Sequence, residues 1–399
     1  MLLEILIATL IGISIGIITG LVPGLHLNLA VVIMLSISTF LSDYISFITI
    51  SVIIISMSVT HTFLDAIPSI FLGAPDAGME LGVLPGHRLL LQGRGYEAVA
   101  LTAVGSLLAV IIMVAFTPLG IPIIKFLYKF IQPFIPYILI FFVLLFILRD
   151  KKSKVFALII FLLSGILGII TFNLELKEPL FPLLSGLFGI SSLITSIFQK
   201  TKIPKQKFTE VNLNKKDLTT AMSSGFIASF ILGLFPGLGS SQAAAVATSY
   251  DKKISPEKFL IVVGSINTFV MIVSFLALYS IDKARSGSVV AISKLLENFT
   301  INHLILFMGV SLIATGGATL LTLKFAKLFS NIMSKVNYQK LCLMIISLIF
   351  ILVIIITGWI GLFVLIVSTS IGLFTNSYGI GRNNLMGCLI LPVILYFLL

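Results

Sequence analysis

Charge is scarce in this chain of 399 residues: 10% are Asp, Glu, Lys or Arg, whereas 58% are hydrophobic. Soluble domains carry about 25% charged residues. The shortfall excludes a water-soluble enzyme, a disordered chain and a nucleic-acid binder. Cysteine is almost missing, at 2 residues, and histidine numbers 4. That excludes a disulfide scaffold, and no Cys or His stands at metal-ligand spacing. Cys342 and Cys388 lie in apolar stretches and read as small buried hydrophobes. Catalytic patterns are missing as well: there is no Gly-x-Ser-x-Gly, no phosphate-cradling P-loop, and no carboxylate pair beside a His-rich spacing. The expectation is a protein that is not an enzyme, with no catalytic residue, no metal and no cofactor. Any uphill work would draw on an ion gradient or a separate subunit. No polar stretch is long enough to fold as a soluble domain.

What remains is apolar. Mean hydropathy is +1.18, a density of Leu, Ile, Phe and Val that only a bilayer solvates. Apolar runs lie near 2–22, 26–42, 46–63, 98–116, 119–148, 155–172, 181–199, 219–235, 257–281, 301–322, 339–357, 359–375 and 385–399. The run 119–148 is long enough to bend or split at Pro133 and Pro136. Several others are too short to cross alone. The pattern predicts an all-α, polytopic integral membrane protein of about 10–13 transmembrane or re-entrant helices in the cell membrane. The N-terminal run lacks a basic n-region and a small-residue cleavage site, so it reads as a retained membrane segment.

The net charge of +11 is concentrated in gaps between runs. Arg149, Lys151, Lys152 and Lys154 fill one gap; Lys200, Lys202, Lys205, Lys207, Lys215 and Lys216 fill the largest. Between them lies Asn173–Pro179, with Glu175, Lys177 and Glu178, one helix away from each. The positive-inside rule places 149–154 and 200–216 in the cytoplasm. The larger gap divides the chain into an N-terminal membrane repeat, 1–199, a basic cytoplasmic linker, 200–216, and a C-terminal membrane repeat, 217–399.

The halves repeat each other. Gly20-Leu21-Val22-Pro23-Gly24-Leu25 recurs as Gly233-Leu234-Phe235-Pro236-Gly237-Leu238. After one gap, His61-Thr62-Phe63 falls on Asn267-Thr268-Phe269, and Arg88-Leu89-Leu90 on Lys294-Leu295-Leu296. Paired repeats with broken apolar segments point to the binding site of a transporter. Pro blocks helix continuation and Gly permits a tight turn. Each break therefore reads as the tip of a helical hairpin dipping to mid-membrane, with free N–H groups at the start of its second arm. Such N–H groups carry the positive end of a helix dipole and hold anions. Candidate substrate-binding residues are Pro23, Gly24, His26 and Asn28 at one break, and Pro236, Gly237, Gly239, Ser240 and Ser241 at the other. The alternative is that Pro-Gly only links two ordinary spans. Gly12, Gly16, Gly20 and Gly24 form a strip that reads as close helix packing.

Ionisable groups at membrane depth are functional candidates. Asp65 ends a long apolar run, and Pro68 predicts that the chain unwinds beyond it. Asp65 and Thr62, with Asn267 and Thr268 at the matching place in the second half, are candidates for holding a coupling ion. Asp65 also reads as an interfacial helix end. Arg88 and Arg94 lie in the more polar stretch 74–97 and can attract anions or bind lipid headgroups. The polar island from Asn376 to Asn384 reads as a loop with a snorkelling Arg382.

Several of these segments resemble the large membrane subunit of the tripartite tricarboxylate transporters, the TctA-like permeases. They are Gly20–Leu25 with Ala30, Phe71–Pro75, Gly82–Ala98, Leu183–Gly189, the second Pro236-Gly237-Leu238-Gly239, and Arg382 through Pro392. His26 stands where the family usually has Gly, and Gly73-Ala74-Pro75-Asp76 replaces its Asn-Thr-Pro-Gly element. These departures resemble a divergent, stand-alone archaeal branch. The resemblance implies secondary active uptake of a small organic anion driven by Na⁺ or H⁺. It also implies as partners a small membrane subunit and an extracytoplasmic binding protein. Two other readings stay open: a translocase for polyprenyl phosphate or another anionic lipid, and a membrane scaffold without transport.

Overall fold

A computed structural model describes residues 2–399 except 23–26, 74–78, 80, 151, 199–202, 209–210, 212–213, 234–239, 250–253, 297, 334 and 336. The first half runs α1 (Leu2–Leu21), α2 (Leu27–Leu41), α3 (Phe47–Leu64), α4 (Val83–Leu91), α5 (Gly95–Ile131), α6 (Ile135–Arg149), α7 (Lys154–Asn173), α8 (Leu180–Leu184) and α9 (Ser191–Phe198). The second runs α10 (Lys215–Leu232), α11 (Ser240–Ser249), α12 (Pro256–Ile281), α13 (Gly287–Leu295), α14 (Ile301–Met333), α15 (Tyr338–Tyr378) and α16 (Gly387–Leu398). Ser46, Ser153, Asn214, Ser255 and Ser286 each accept a backbone N–H at a helix start, satisfying donors that would otherwise be stranded.

Among the described residues, 8 helical segments are long and apolar enough to cross a bilayer. Two shorter apolar helices accompany them. The chain is thus an all-helical, multi-pass membrane protein. Large side chains such as Leu119, Phe126, Phe141, Ile355 and Phe363 are exposed on its outer face, where lipid tails solvate them at no hydrophobic cost.

Most predicted breaks fall where the structure breaks. A 3-10 turn at Gln132–Phe134 separates α5 from α6. The predicted gap at 117–118 is bridged instead: α5 runs on through Pro118 and Pro122, because neighbouring helices in a bundle tolerate the lost N–H bond. α15 breaks at Gly358, with φ 69° and ψ −165°, so 338–357 and 359–378 are two helices joined at a kink. A Cβ on Gly358 would meet nothing within 4 Å, so only backbone conformation resists a side chain there. Gly358→Ala is expected to cost about 1–3 kcal/mol, read as a lower melting temperature of the purified protein.

Two helices form the centre. In both the α3 segment and α12, 89% of the spanning window is buried. A helix apolar on every side belongs inside, and α3 and α12 have no polar face. α1 lies along α3: Glu4 accepts from Thr49 Oγ1 at 2.6 Å, and Thr19 Oγ1 meets His61 Nδ1 at 3.1 Å. The glycine strip sets the spacing, since a Cβ on Gly12, Gly16 or Gly20 would stand 2.5, 2.6 or 2.8 Å from atoms of α3. Gly24 lies outside the described residues. α10 lies along α12 in the same way, with Gly225 against Ser265 and Gly233 against Val273.

Helix directions follow from end contacts. Arg94, before α5, pairs with Glu257 in the first turn of α12 at 2.8 Å. Arg285, beyond the end of α12, sits over Tyr128 near the end of α5. α5 and α12 are therefore parallel. Lys327, late in α14, sits over Tyr96 at the start of α5, so α14 runs the opposite way. Phe71, just past α3, meets Phe329 near the end of α14, so α3 runs with α14. The two central helices are antiparallel.

Candidate functional site

Polar groups meet where α3 and α12 cross. Asn267 Nδ2 donates to Asp65 Oδ2 at 2.8 Å. Ser240 Oγ, at the first position of α11, donates to Asn267 Oδ1 at 3.1 Å. Thr62 and Thr268 hydroxyls approach to 3.5 Å. Asn267 stands near the middle of α12, about 15–20 Å from either end at the helical rise. Asp65 is 2% exposed, so it lies inside the protein and not at a solvated interface. As far as residue 73 the chain beyond it does not unwind as predicted: Pro68–Leu72 forms a π-helical turn, and Ser69 Oγ donates to the Asp65 carbonyl at 2.6 Å; Pro75, the second predicted interruption, lies outside the described residues. Pro68 cannot donate, and the wider turn absorbs that loss without exposing backbone.

Asn28, in the first turn of α2, packs against the start of α13, its Oδ1 2.3 Å from where a Gly287 Cβ would stand. Next to it Ser288 Oγ meets Ser58 Oγ of α3 at 2.6 Å. The structure thus joins Asp65, Thr62, Asn267, Thr268 and Ser240 in one centre and places Asn28 on a neighbouring contact. Pro23, Gly24, His26, Pro236, Gly237 and Gly239 lie outside the described residues, as does the side chain of Ser241.

Arg94 is occupied. Its Nη2 pairs with Glu97 at 2.6 Å and its Nη1 with Glu257 at 2.8 Å. Glu97 first, and then Glu257, hold the guanidinium well above its ordinary pKa. The surrounding Gln92-Gly93-Arg94-Gly95 segment is a joint between elements. Gly93 has φ 79°, and its Cβ would stand 2.9 Å from the Lys205 carbonyl. Gln206, from the basic linker, is buried and accepts from Gly95 N–H at 2.9 Å while donating to the Leu90 carbonyl at 3.1 Å. Nothing in the sequence marked Gln206, because two of its partners, Gly95 and Leu90, are more than 100 residues away. Gln206→Ala is expected to cost about 1–3 kcal/mol through the stranded Gly95 N–H. It should also speed tryptic cleavage at Lys205 and Lys207, measured by limited proteolysis in micelles.

Arg88 has a different setting. It is exposed and, with His87, lines a cavity of about 410 Å³ between α4, α9 and the corner 376–382. Arg382, read from sequence as a snorkelling loop cation, is turned into this cavity wall. Its Nε donates to Asn376 Oδ1 at 3.1 Å, and its Nη1 is buried with no hydrogen-bond partner among the described residues. Burial pushes His87 down to about 4, against the Ile70 carbonyl, which raises it; the charge of Arg382 lowers it further. His87 is neutral at physiological pH. Among the described residues no group of His, Cys, Asp and Glu is arranged to hold a metal ion.

Residues 6–387 match the family described as the tripartite tricarboxylate transporter TctA family. An uncharacterized protein of Methanocaldococcus jannaschii is 32% identical over 374 residues, covering 90% of this chain and 89% of that relative. No solved structure matches the chain.

Proposed function

This chain belongs to the tripartite tricarboxylate transporter TctA family, and from that membership we propose that it is a secondary active permease for a small organic anion such as a carboxylate, coupled to Na⁺ or H⁺. Members of the family are transporters and not enzymes, so carboxylate transport is the activity that membership suggests. The observation that supports this reading best is the buried polar junction of Asp65, Asn267 and Ser240 near mid-span. A carboxylate at that depth is costly and persists where it does work.

In this reading the halves are inverted repeats. Their support is the antiparallel central pair, each with a glycine-packed helix running alongside it. Gly12 and Gly20 stand against α3 as Gly225 and Gly233 stand against α12, at the same spacing as the repeated Pro-Gly motif. The repeats, 1–199 and 217–399, are interleaved, since α5 lies along α12. The two Pro-Gly breaks would sit at hairpin tips, with Asn28 and Ser240 starting the second arms. Pro23, Gly24, His26, Pro236, Gly237, Gly239 and Ser241 would complete the substrate cradle through N–H groups and short polar side chains. Asp65, with Thr62, Asn267 and Thr268, would hold the coupling ion, and Arg88 would draw anions toward the membrane face. Alternating access would rock the hairpins against the remaining bundle.

Sidedness follows from charge. The linker 203–208 is pinned to the α4–α5 corner. Asp150, in the other basic gap, accepts from Gly381 N–H at 2.8 Å. Leu91 and Gly381 line one cavity, so both basic gaps share a face, which we assign to the cytoplasm. The small membrane subunit and extracytoplasmic binding protein of the family are proposed partners.

An anion entering a negative-inside cell climbs about 2.3 kcal/mol per charge per 100 mV. Uptake therefore needs at least one cation per anionic charge to become electroneutral. Purified protein in vesicles is expected to take up a carboxylate under an imposed Na⁺ or H⁺ gradient, and to lose uptake when Pro23-Gly24 or Pro236-Gly237 is replaced. No uptake across a broad carboxylate panel would contradict the reading.

A further inference from the structure

Beyond the junction at mid-span, the cavity at the proposed cytoplasmic face has the chemistry of a second site. Its described lining contains no Asp or Glu. Cations and a hydroxyl reach it from three separate elements: Arg88 from α4, Ser196 from α9 and Arg382 from the chain's last corner. Thr195 and Asn376 also line it, but they spend their donors on the Ser191 carbonyl and, for Asn376, on Thr195 Oγ1. The nearest carboxylate in the corner, Asp150, is engaged with the N–H groups of Lys152, Ser153 and Gly381. Asn376 is held in place, donating to Thr195 Oγ1 at 3.3 Å and accepting from Arg382 Nε at 3.1 Å. The bond to Asn376 leaves the far side of the Arg382 fork, Nη1, buried and unsatisfied among the described residues. A guanidinium nitrogen shut away from water without an acceptor is expensive, and a turn of the Arg382 guanidinium toward an anion in the cavity would remove that cost.

We propose that this cavity binds a phosphate group, carried either free or on a lipid headgroup, between Arg88 and Arg382. Donors converging from three directions suit a tetrahedral oxyanion, which accepts on every side, better than a planar carboxylate, which accepts in one plane. Guanidinium forks pair with phosphate oxygens bidentately. Neutral His87 spends its one N–H on the Ile70 carbonyl, Nδ1 to oxygen at 3.2 Å, which leaves Nε2 as an acceptor for a protonated phosphate oxygen. The volume of about 410 Å³ holds a phosphate with part of an attached group. Bound there, the phosphate would bridge α4 to the α15 end and clamp the two together.

The test is thermal stability of the full-length protein with two probes. Inorganic phosphate is titrated against protein in a neutral detergent. In parallel, phosphatidylcholine nanodiscs are compared with discs containing added phosphatidic acid. Stabilisation by either probe is expected, and the probe that acts names the source. The effect should weaken at least about tenfold in apparent affinity in Arg88→Gln and in Arg382→Gln, the loss typical of one charge-assisted pair. Arg88 is exposed, so its variant folds whatever the fate of the other. Stabilisation by neither probe overturns the proposal. Undiminished stabilisation in Arg88→Gln also overturns it.

Discussion

Gradient-driven uptake is expected to fall by about a hundredfold or more in Asp65→Asn, with the fold intact. Asparagine has the shape of the aspartate and can still accept a hydrogen bond from Asn267, which donates to Asp65 at 2.8 Å. What it removes is the negative charge. If that charge holds a Na⁺ or carries a proton at the crossing of α3 and α12, the gradient loses its grip on transport. Uptake then becomes slow and indifferent to the imposed ion. If Asp65 only ties the two helices together, the amide pair substitutes for it and uptake stays within a few-fold of the parent. Initial rates in vesicles with and without the gradient separate the outcomes. Thr62→Ala and Thr268→Ala should shift the ion dependence in the same direction by smaller factors, since each removes a neutral oxygen and leaves the charge.

Gly16→Leu is expected to prevent assembly of the first half, destabilising the protein by about 3 kcal/mol or more. A Cβ at this position would stand 2.6 Å from Thr60 Cβ and 2.7 Å from the Met57 carbonyl oxygen. α3 cannot retreat, because it is packed on all sides. α1 would have to move outward, breaking the Thr19–His61 contact and the neighbouring approaches at Gly12 and Gly20. Lipid offers no hydrophobic penalty against such a separation, so close packing and interhelical hydrogen bonds carry the association. Gly309→Leu on α14 is the control: its Cβ would meet nothing within 4 Å, and its melting temperature should stay close to that of the parent. Size-exclusion profile and melting temperature of both variants distinguish packing from a general intolerance of large residues.

Hydropathy foretold the helices well because each depends on its own residues. The runs 339–357 and 359–375 predicted a division at position 358, and Gly358 occupies it with a backbone few other residues adopt. The matched His61–Phe63 and Asn267–Phe269 triplets lie in α3 and α12, the central pair. The pairing of Asp65 with Asn267 spans 202 residues. A sequence pattern can nominate both residues but cannot say that they touch.

The polar island near the C-terminus was harder to read. Asn376 and Arg382 look like loop residues until α9 and α4 close against them, and only the tertiary arrangement turns a polar gap into a cationic cavity. Arg94 shows the converse. Alone it is a free cation near the membrane surface; Glu97, three residues on, and Glu257, 163 residues later, pair with it. The run 2–22 is a 20-residue helix of spanning length, packed along α3 through its glycine strip.

The most direct test of where the substrate sits uses single cysteines at the starts of α2 and α11. Cys342 and Cys388 are buried, so Asn28→Cys and Ser240→Cys can be labelled with a membrane-impermeant maleimide against a quiet background. The account predicts that a transported carboxylate slows labelling at both positions, more strongly with the coupling ion present. Unchanged labelling at both, in vesicles that still take up the carboxylate, would place the substrate elsewhere and contradict it.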